Sequence, residues 1–175
     1  LYGRFLQLLC FGGGMGLCSC SYGLCTETFY YVALEDFNLT FNLRAKFAEV
    51  DLCDFEKLPP YFFGIDYVFH FAALPRVPLS IEKPRETNRN NVESTLNVLL
   101  ASKDAKVKRV VYSSSSSAYG RQAVMPLKEE MLPAPINPYA VQKYIGEHYV
   151  RVFYDLFGLE AVSLRYFNVY GPSMS

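Results

Sequence analysis

Neither sign of charge predominates in this chain: 17 Lys and Arg are matched by 17 Asp and Glu, and the formal net charge is zero. Without a basic excess, the composition leaves no footprint for nucleic acid or for an anionic membrane surface. Histidine is scarce, with only His70 and His148. The cysteines, Cys10, Cys18, Cys20, Cys25 and Cys53, form no CxxC pair and have neither histidine near the N-terminal four. Zinc-ligand spacing is therefore missing, and no metal is expected. Their odd number and irregular spacing do not make a disulfide framework either, so reduced thiols in a cytoplasmic compartment are expected. Long hydrophobic runs are also missing. Tyr61 to Leu74 is interrupted by Asp66 and His70, and nothing approaches the roughly 20 apolar residues of a membrane helix. Phe5 to Phe11, preceded by Arg4, imitates a short signal peptide. The glycines after it fit a buried first strand entering a loop instead. The chain starts at Leu1 and stops at Ser175 just after Gly171-Pro172; both ends read as cut.

What is present is the material of a core. Hydrophobic residues make up 51% and charged residues 19% of 175 positions, which suits one globular domain over residues 1–175. Short apolar runs at Phe5–Phe11, Phe29–Leu34, Lys46–Val50, Tyr67–Phe71, Arg109–Ser113 and Ala161–Tyr166 read as buried strands. They lack period-2 alternation, as expected of strands covered on both faces. Between them lie helices. One is expected over about Arg85–Lys103, with Val92, Thr95, Leu96, Leu99 and Leu100 on one face. A second starts at Asn137-Pro138, an Asn cap followed by Pro at the first helical position, and ends near Gly158. A third, poorer one runs from Leu17 to Cys25. Leu58-Pro59-Pro60 and Met125–Pro138 read as loops. Strand–helix alternation of this kind predicts an α/β, doubly wound parallel sheet.

Gly12-Gly13-Gly14-Met15-Gly16 follows the first strand. Glycines there let the backbone approach a pyrophosphate seated on a helix N-terminus. Gly13 and Gly16 take the first two places of a G-x-x-G-x-x-G pattern, and Ser19 stands at the third. Glu35, or Asp36 beside it, lies about 20 residues on, where an acid holds the adenosine ribose. An acid there repels a 2′-phosphate, so NAD is expected rather than NADP. Asp51 and Leu52, after the third strand, are placed to face the adenine.

Tyr139 and Lys143 are four apart on the capped helix, so both side chains leave one face. An ammonium beside a phenol favours the phenolate and brings the Tyr pKa toward neutrality. Tyr139 is then a candidate general acid/base. The serine run from Ser113 to Ser117, at the carboxyl end of its strand, supplies a hydroxyl to hold a substrate oxygen.

Several motifs occur in one order: Val68-Phe69-His70-Phe71-Ala72-Ala73, Asn91-Val92 with Thr95-Leu96-Asn97, the serine run with Ala118-Tyr119-Gly120, Pro138-Tyr139-Ala140-Val141-Gln142-Lys143-Tyr144, and Leu164-Arg165-Tyr166-Phe167-Asn168-Val169-Tyr170-Gly171-Pro172. Together they resemble the extended short-chain dehydrogenase/reductase family, and within it the NAD-dependent nucleotide-sugar epimerases and dehydratases, above all UDP-sugar 4-epimerases. The resemblance is strong from about Phe47 to Pro172. It implies a Rossmann fold with NAD as cofactor, a catalytic hydroxyl on Ser115, Tyr139 as base, and Lys143 as its partner and a ribose contact. It implies Phe71, Ala72 and Ala73 at the cofactor, Asn91 near its nicotinamide end, and Tyr166 and Phe167 packed nearby. Ser116 and Ser117 would line the sugar pocket, and Asn168 would hold the nucleotide-sugar. His70 is expected to be a packed strand residue.

The 4,6-dehydratases of this family carry Asp and Glu after the catalytic hydroxyl; Ser116 and Ser117 stand there and point to epimerisation. Leu74–Ser80 is similar to the loop of epimerases that accept N-acetylated sugars, with Leu79 where many relatives have Arg. Ser19, Val50 and Ser94 replace glycines usual in the family. Relatives carry a smaller C-terminal substrate domain past Pro172, and it is expected to be missing from residues 1–175. Two helices of relatives usually form a dimer interface; those around Arg85–Lys103 and Pro138–Leu156 are the candidates here, so a homodimer is an expectation of the resemblance. Other expectations are a different NAD-linked nucleotide-sugar enzyme, such as a reductase, or a non-catalytic remnant.

Overall fold

A computed structural model describes residues 5–10, 29–34 and 45–170. Strands β1 (Phe5–Cys10), β2 (Phe29–Leu34), β3 (Ala45–Val50), β4 (Tyr67–His70), β5 (Arg109–Ser115) and β6 (Ala161–Tyr166) form one sheet. Their order is β3-β2-β1-β4-β5-β6, the order of the doubly wound dinucleotide-binding fold. Each expected strand is found, displaced by at most two residues at an end. β1, β4, β5 and β6 pair in parallel. β2 runs antiparallel to both β1 and β3, a local departure within the expected doubly wound parallel sheet. The run Phe29–Leu34 is apolar on both faces, so its residues specify a buried strand but carry no direction. Direction comes from the connections, and only residues 35–44 join β2 to β3, fewer than the dozen or more of a parallel crossover. The expected helix Leu17–Cys25 and the glycine loop lie outside the described residues.

Helices match the sequence with two departures. Pro59 and Pro60 begin a short helix, α1 (Pro59–Phe62), where a loop was expected; prolines fit a first turn because its N–H groups have no helical acceptor. The segment expected as one helix from Arg85 is broken into α3 (Pro84–Asn88), a π-helical turn (Arg89–Glu93) and α4 (Ser94–Asp104). It is preceded by α2 (Val77–Glu82). The extra residue of a π turn rotates the faces of α4 relative to those of α3. Thr95 and Leu99 are buried as expected, together with Val98, Ala101 and Ser102, while Val92, Leu96 and Leu100 are only half-buried.

The core lies between one face of the sheet and α4 with α5 (Pro138–Phe157). Val68 of β4 and Val110 and Tyr112 of β5 meet Val98 and Leu99 of α4 and Val150 and Phe153 of α5. Burial does alternate along β4 and β5: Val68, His70, Val110, Tyr112 and Ser114 are buried, and their neighbours only partly. Among the described residues, then, one face of these strands is covered more completely than the other. Gly146 of α5 allows the helix to approach closely: a Cβ there would lie 2.2 Å from the Tyr112 hydroxyl. No helix among the described residues is long and apolar enough to cross a membrane.

Candidate active site

α5 starts where the sequence places it. Asn137 accepts a hydrogen bond from the Ala140 amide at 2.9 Å, Pro138 takes the first turn, and Gly158 closes the helix in the left-handed conformation at φ 66°. The cap fixes the first turn of the helix, which carries Tyr139. A second fixture has no counterpart among the sequence expectations: buried Ser80 of α2 accepts from the Tyr139 amide at 3.1 Å and donates to the Val77 carbonyl at 2.7 Å. A serine in a short helix carries no visible signal of such a contact.

Tyr139 and Lys143 face the end of β5, 7% and 3% exposed. Ser115, at the end of β5, stands close enough to the Tyr139 phenol to lower its pKa. Burial raises the phenol above its ordinary pKa, and Ser115 offsets part of the rise. This corrects the expectation that Lys143 brings Tyr139 toward neutrality. Burial acts on both groups: the Lys143 ammonium is itself pushed down to about 8. Lys143 Nζ donates to the Ser113 carbonyl at 2.7 Å and lies 5.2 Å from the centre of the Tyr112 ring. Its other two N–H groups have no partner among the described residues, which suits a bound diol such as a ribose.

Ser115 caps the 3-10 turn Ser116–Tyr119: its Oγ accepts from the Ser117 amide at 3.2 Å and lies 2.6 Å from the Ser117 hydroxyl. Ser116 is half-buried beside them. In the β5–β6 ladder Ser115 pairs with Tyr166, whose ring lies 6.3 Å from that of Phe71. Phe71, Ala72 and Ala73 come after β4 at the carboxyl edge, the two alanines buried. Phe167 stands near Tyr119 at 6.3 Å, and Asn168 is exposed.

Other candidates are placed differently from expectation. Asn91 is buried and fully engaged: its amide donates to the Leu74 carbonyl at 3.2 Å and to Gln142 Oε1 at 2.8 Å, and Oδ1 accepts from the Leu74 amide at 2.7 Å. It ties the loop after β4 to α5. The Leu52 side chain is 1% exposed in the core, and its carbonyl accepts from Asn97 at 2.9 Å. Asp51 accepts from the Cys53 amide at 2.8 Å and pairs with Arg89 at 2.9 Å. The Cys53 thiol is pushed up to about 12, mainly by burial and then by Asp51, so it is held as a thiol. Gly13, Gly16 and Glu35 lie outside the described residues. His70 is packed, as expected. Its Nε2 is 2.9 Å from Thr95 Oγ1, which itself donates to the Asn91 carbonyl. Nε2 therefore carries the proton, and Nδ1 is left without a partner. Burial, then Lys143, pushes the imidazole down to about 3.

Residues 28–175 match the family model described as "NAD dependent epimerase/dehydratase family". The chain is 35% identical over 134 residues to a putative UDP-glucose 4-epimerase of Methanocaldococcus jannaschii, covering 74% of this chain and 43% of that protein. It is 41% identical over 109 residues to a UDP-glucose 4-epimerase of Lactobacillus helveticus, covering 62% and 33%. Among solved structures it resembles a UDP-N-acetylglucosamine 4-epimerase from Methanobrevibacter ruminantium in complex with UDP-N-acetylmuramic acid, with TM-score 0.68, 44% identity, 72% of this chain and 40% of that one. A dTDP-glucose 4,6-dehydratase from Streptomyces venezuelae with NAD bound aligns with TM-score 0.67 and 32% identity, over 70% of this chain and 38% of that one. The chain thus spans less than half the length of these relatives. With a family model matched over most of its residues and a doubly wound strand order beneath the match, the chain belongs to the NAD-dependent epimerase/dehydratase family.

Proposed function

We propose that residues 1–175 are the NAD-binding and proton-transfer part of a nucleotide-sugar 4-epimerase acting on a UDP-sugar of the UDP-glucose or UDP-N-acetylglucosamine type. The observation that carries this is that Tyr139 and Lys143, both buried on α5, face the end of β5 that carries Ser115, with Lys143 donating to the Ser113 carbonyl and keeping two donors free among the described residues. NAD, when bound, supplies reversible hydride acceptance at the sugar C4. The chain's own groups handle the proton. Ser115 orients the C4 hydroxyl, and Tyr139, reacting as the phenolate, takes its proton and later returns it to the oxygen at C4. Lys143 holds a ribose hydroxyl through its unused N–H groups. Ser116 and Ser117 line the sugar pocket and offer no carboxyl group for elimination at carbons 5 and 6, which favours epimerisation over dehydration. Phe71, Ala72, Ala73 and Tyr166 border the cofactor, with the Asp51 carboxylate and the backbone of Leu52 toward the adenine. Asn91 supports that border from behind, and Asn168 contacts the nucleotide-sugar. Gly13, Gly16 and Glu35 would complete the cofactor site. A cytoplasmic setting suits the free Cys53 thiol. Pairing of α3–α4 and α5 with a second copy would bury the outer surfaces of those helices.

The test is direct. The purified chain is assayed for retained NAD, then for interconversion of UDP-glucose with UDP-galactose and of the N-acetylated pair, with and without Tyr139→Phe. Conversion by the native chain that Tyr139→Phe abolishes is the expected result. Equal rates in both would overturn the mechanism, absence of NAD and of conversion would overturn the activity, and a 4-keto-6-deoxy product would make the chain a dehydratase.

A further inference from the structure

Glu147 lies one helical turn beyond Lys143 and two beyond Tyr139, on the same face of α5. Its Oε1 accepts from the Ser114 hydroxyl at 2.5 Å and from Arg165 Nε at 2.8 Å, and its Oε2 accepts from Arg165 Nη2 at 2.7 Å. The two charged side chains are only 18% and 12% exposed. Ser114 is the residue before Ser115, and Arg165 is its partner in the β5–β6 ladder. The Arg165 guanidinium also lies 4.5 Å from the centre of the Tyr119 ring, at the far end of the 3-10 turn that Ser115 caps. One carboxylate therefore joins the helix that holds Tyr139 and Lys143 to both strands and to the turn that hold Ser115. A buried ion pair is weak support for stability, because desolvation opposes the attraction. What this bidentate, hydrogen-bonded pair supplies is a defined distance between helix and strand.

We infer that Glu147 is a positioning residue for the proton-transfer centre: through Ser114 and Arg165 it sets the separation of the Ser115 hydroxyl from the Tyr139 phenol. The inference rests on the proposed epimerase reading for its kinetic consequence, but its geometric content stands apart from it. Glu147→Gln keeps the shape of the side chain and removes the charge that Arg165 grips. Ser114→Ala removes one hydrogen bond and carries the same comparison if Glu147→Gln does not fold. Phe153→Leu, in the core of the same helix, serves as a control that loosens packing without touching the centre.

Crystal structures of the full chain and of Glu147→Gln, or of Ser114→Ala, should show a longer Ser115–Tyr139 separation in the variant. An unchanged separation overturns the inference, whether or not the chain converts sugars. In the conversion assay with UDP-glucose, kcat of Glu147→Gln should fall between about tenfold and a hundredfold, with KM within about twofold and a smaller fall for Ser114→Ala. Phe153→Leu, at a comparable loss of melting temperature, should leave kcat within about twofold. If Glu147→Gln and Phe153→Leu lose kcat in proportion to lost stability alone, Glu147 is structural only. A native chain that neither binds NAD nor converts sugar refutes the epimerase proposal and leaves the distance measurement to decide this one.

Discussion

Two buried networks meet α5 side by side. In one, Gln142 links Asn91 to Thr87, accepting from Asn91 and donating to Thr87 at 3.0 Å, while Asn91 fastens both polar groups of Leu74. Asn91 uses both amide N–H groups and its oxygen within the fold, and Gln142 its oxygen and one N–H group. In the other, one residue further along, the Lys143 side chain makes one hydrogen bond among the described residues, to Ser113, and the Tyr139 phenol faces the end of β5. Leaving donors unmatched in a buried position is destabilising, so a network with free capacity points to an external partner, and a completed one points to scaffold. The contrast separates Asn91, whose side chain has no donor left for a cofactor, from Lys143, which has two. It also explains how neighbouring residues on one helix serve different ends.

If the division is real, substitutions in the open network remove activity and spare the fold, and those in the closed network do the reverse. The largest effect is expected for Tyr139→Phe: a loss of about a thousandfold in sugar conversion, with the thermal unfolding midpoint unchanged. A midpoint that collapses with activity would place Tyr139 in the scaffold. Gly146→Ala forces a methyl group against the Tyr112 hydroxyl and should lower unfolding free energy by about 3 kcal/mol, measured by urea denaturation. Gln142→Leu leaves one buried N–H of Asn91 without its acceptor and removes a donor to Thr87, and should lower it by about 2 kcal/mol; no loss would mean that these bonds contribute nothing to the fold. His70 belongs to neither network's ligand-facing side, and its effect depends on pH. Its folded pKa is about 3 against the ordinary 6.5, so between those values the unfolded chain binds more protons and stability falls as the pH falls. In His70→Gln the slope of unfolding free energy over pH 4 to 6 should flatten by about 1.4 kcal/mol per pH unit at most; an unchanged slope would show that the imidazole is not held neutral. Smallest, Asn137→Ala removes the cap of α5 and should cost about 1 kcal/mol, seen as a lower unfolding midpoint.

Strand positions were legible because each strand carries a short, mostly apolar run set off from the helical segments. The reversal of β2 was not, since such a run looks alike in either direction. α5 was legible from its two ends, Asn137-Pro138 and Gly158, which act through local geometry alone. The π turn at Arg89–Glu93 left no trace, because one extra residue changes which side chains point inward without changing composition. At the site, four-residue spacing brought Tyr139 and Lys143 together correctly. The sign of the Tyr139 shift was not legible, because spacing reports proximity and not desolvation. Glu147 was within reach of the same logic, one more helical turn along, but its partners Ser114 and Arg165 come from two strands distant in sequence. Ser80 had no signal at all.

Gly146 gives the centre something like a gauge block. With no side chain between α5 and Tyr112, the helix lies where a Cβ would meet the ring, and the lysine arm from position 143 reaches the Ser113 carbonyl at 2.7 Å. A methyl group at 146 would push the helix off β5 and carry the ammonium away from that oxygen, so the reach of the lysine is set by a side chain that is absent about one turn further along.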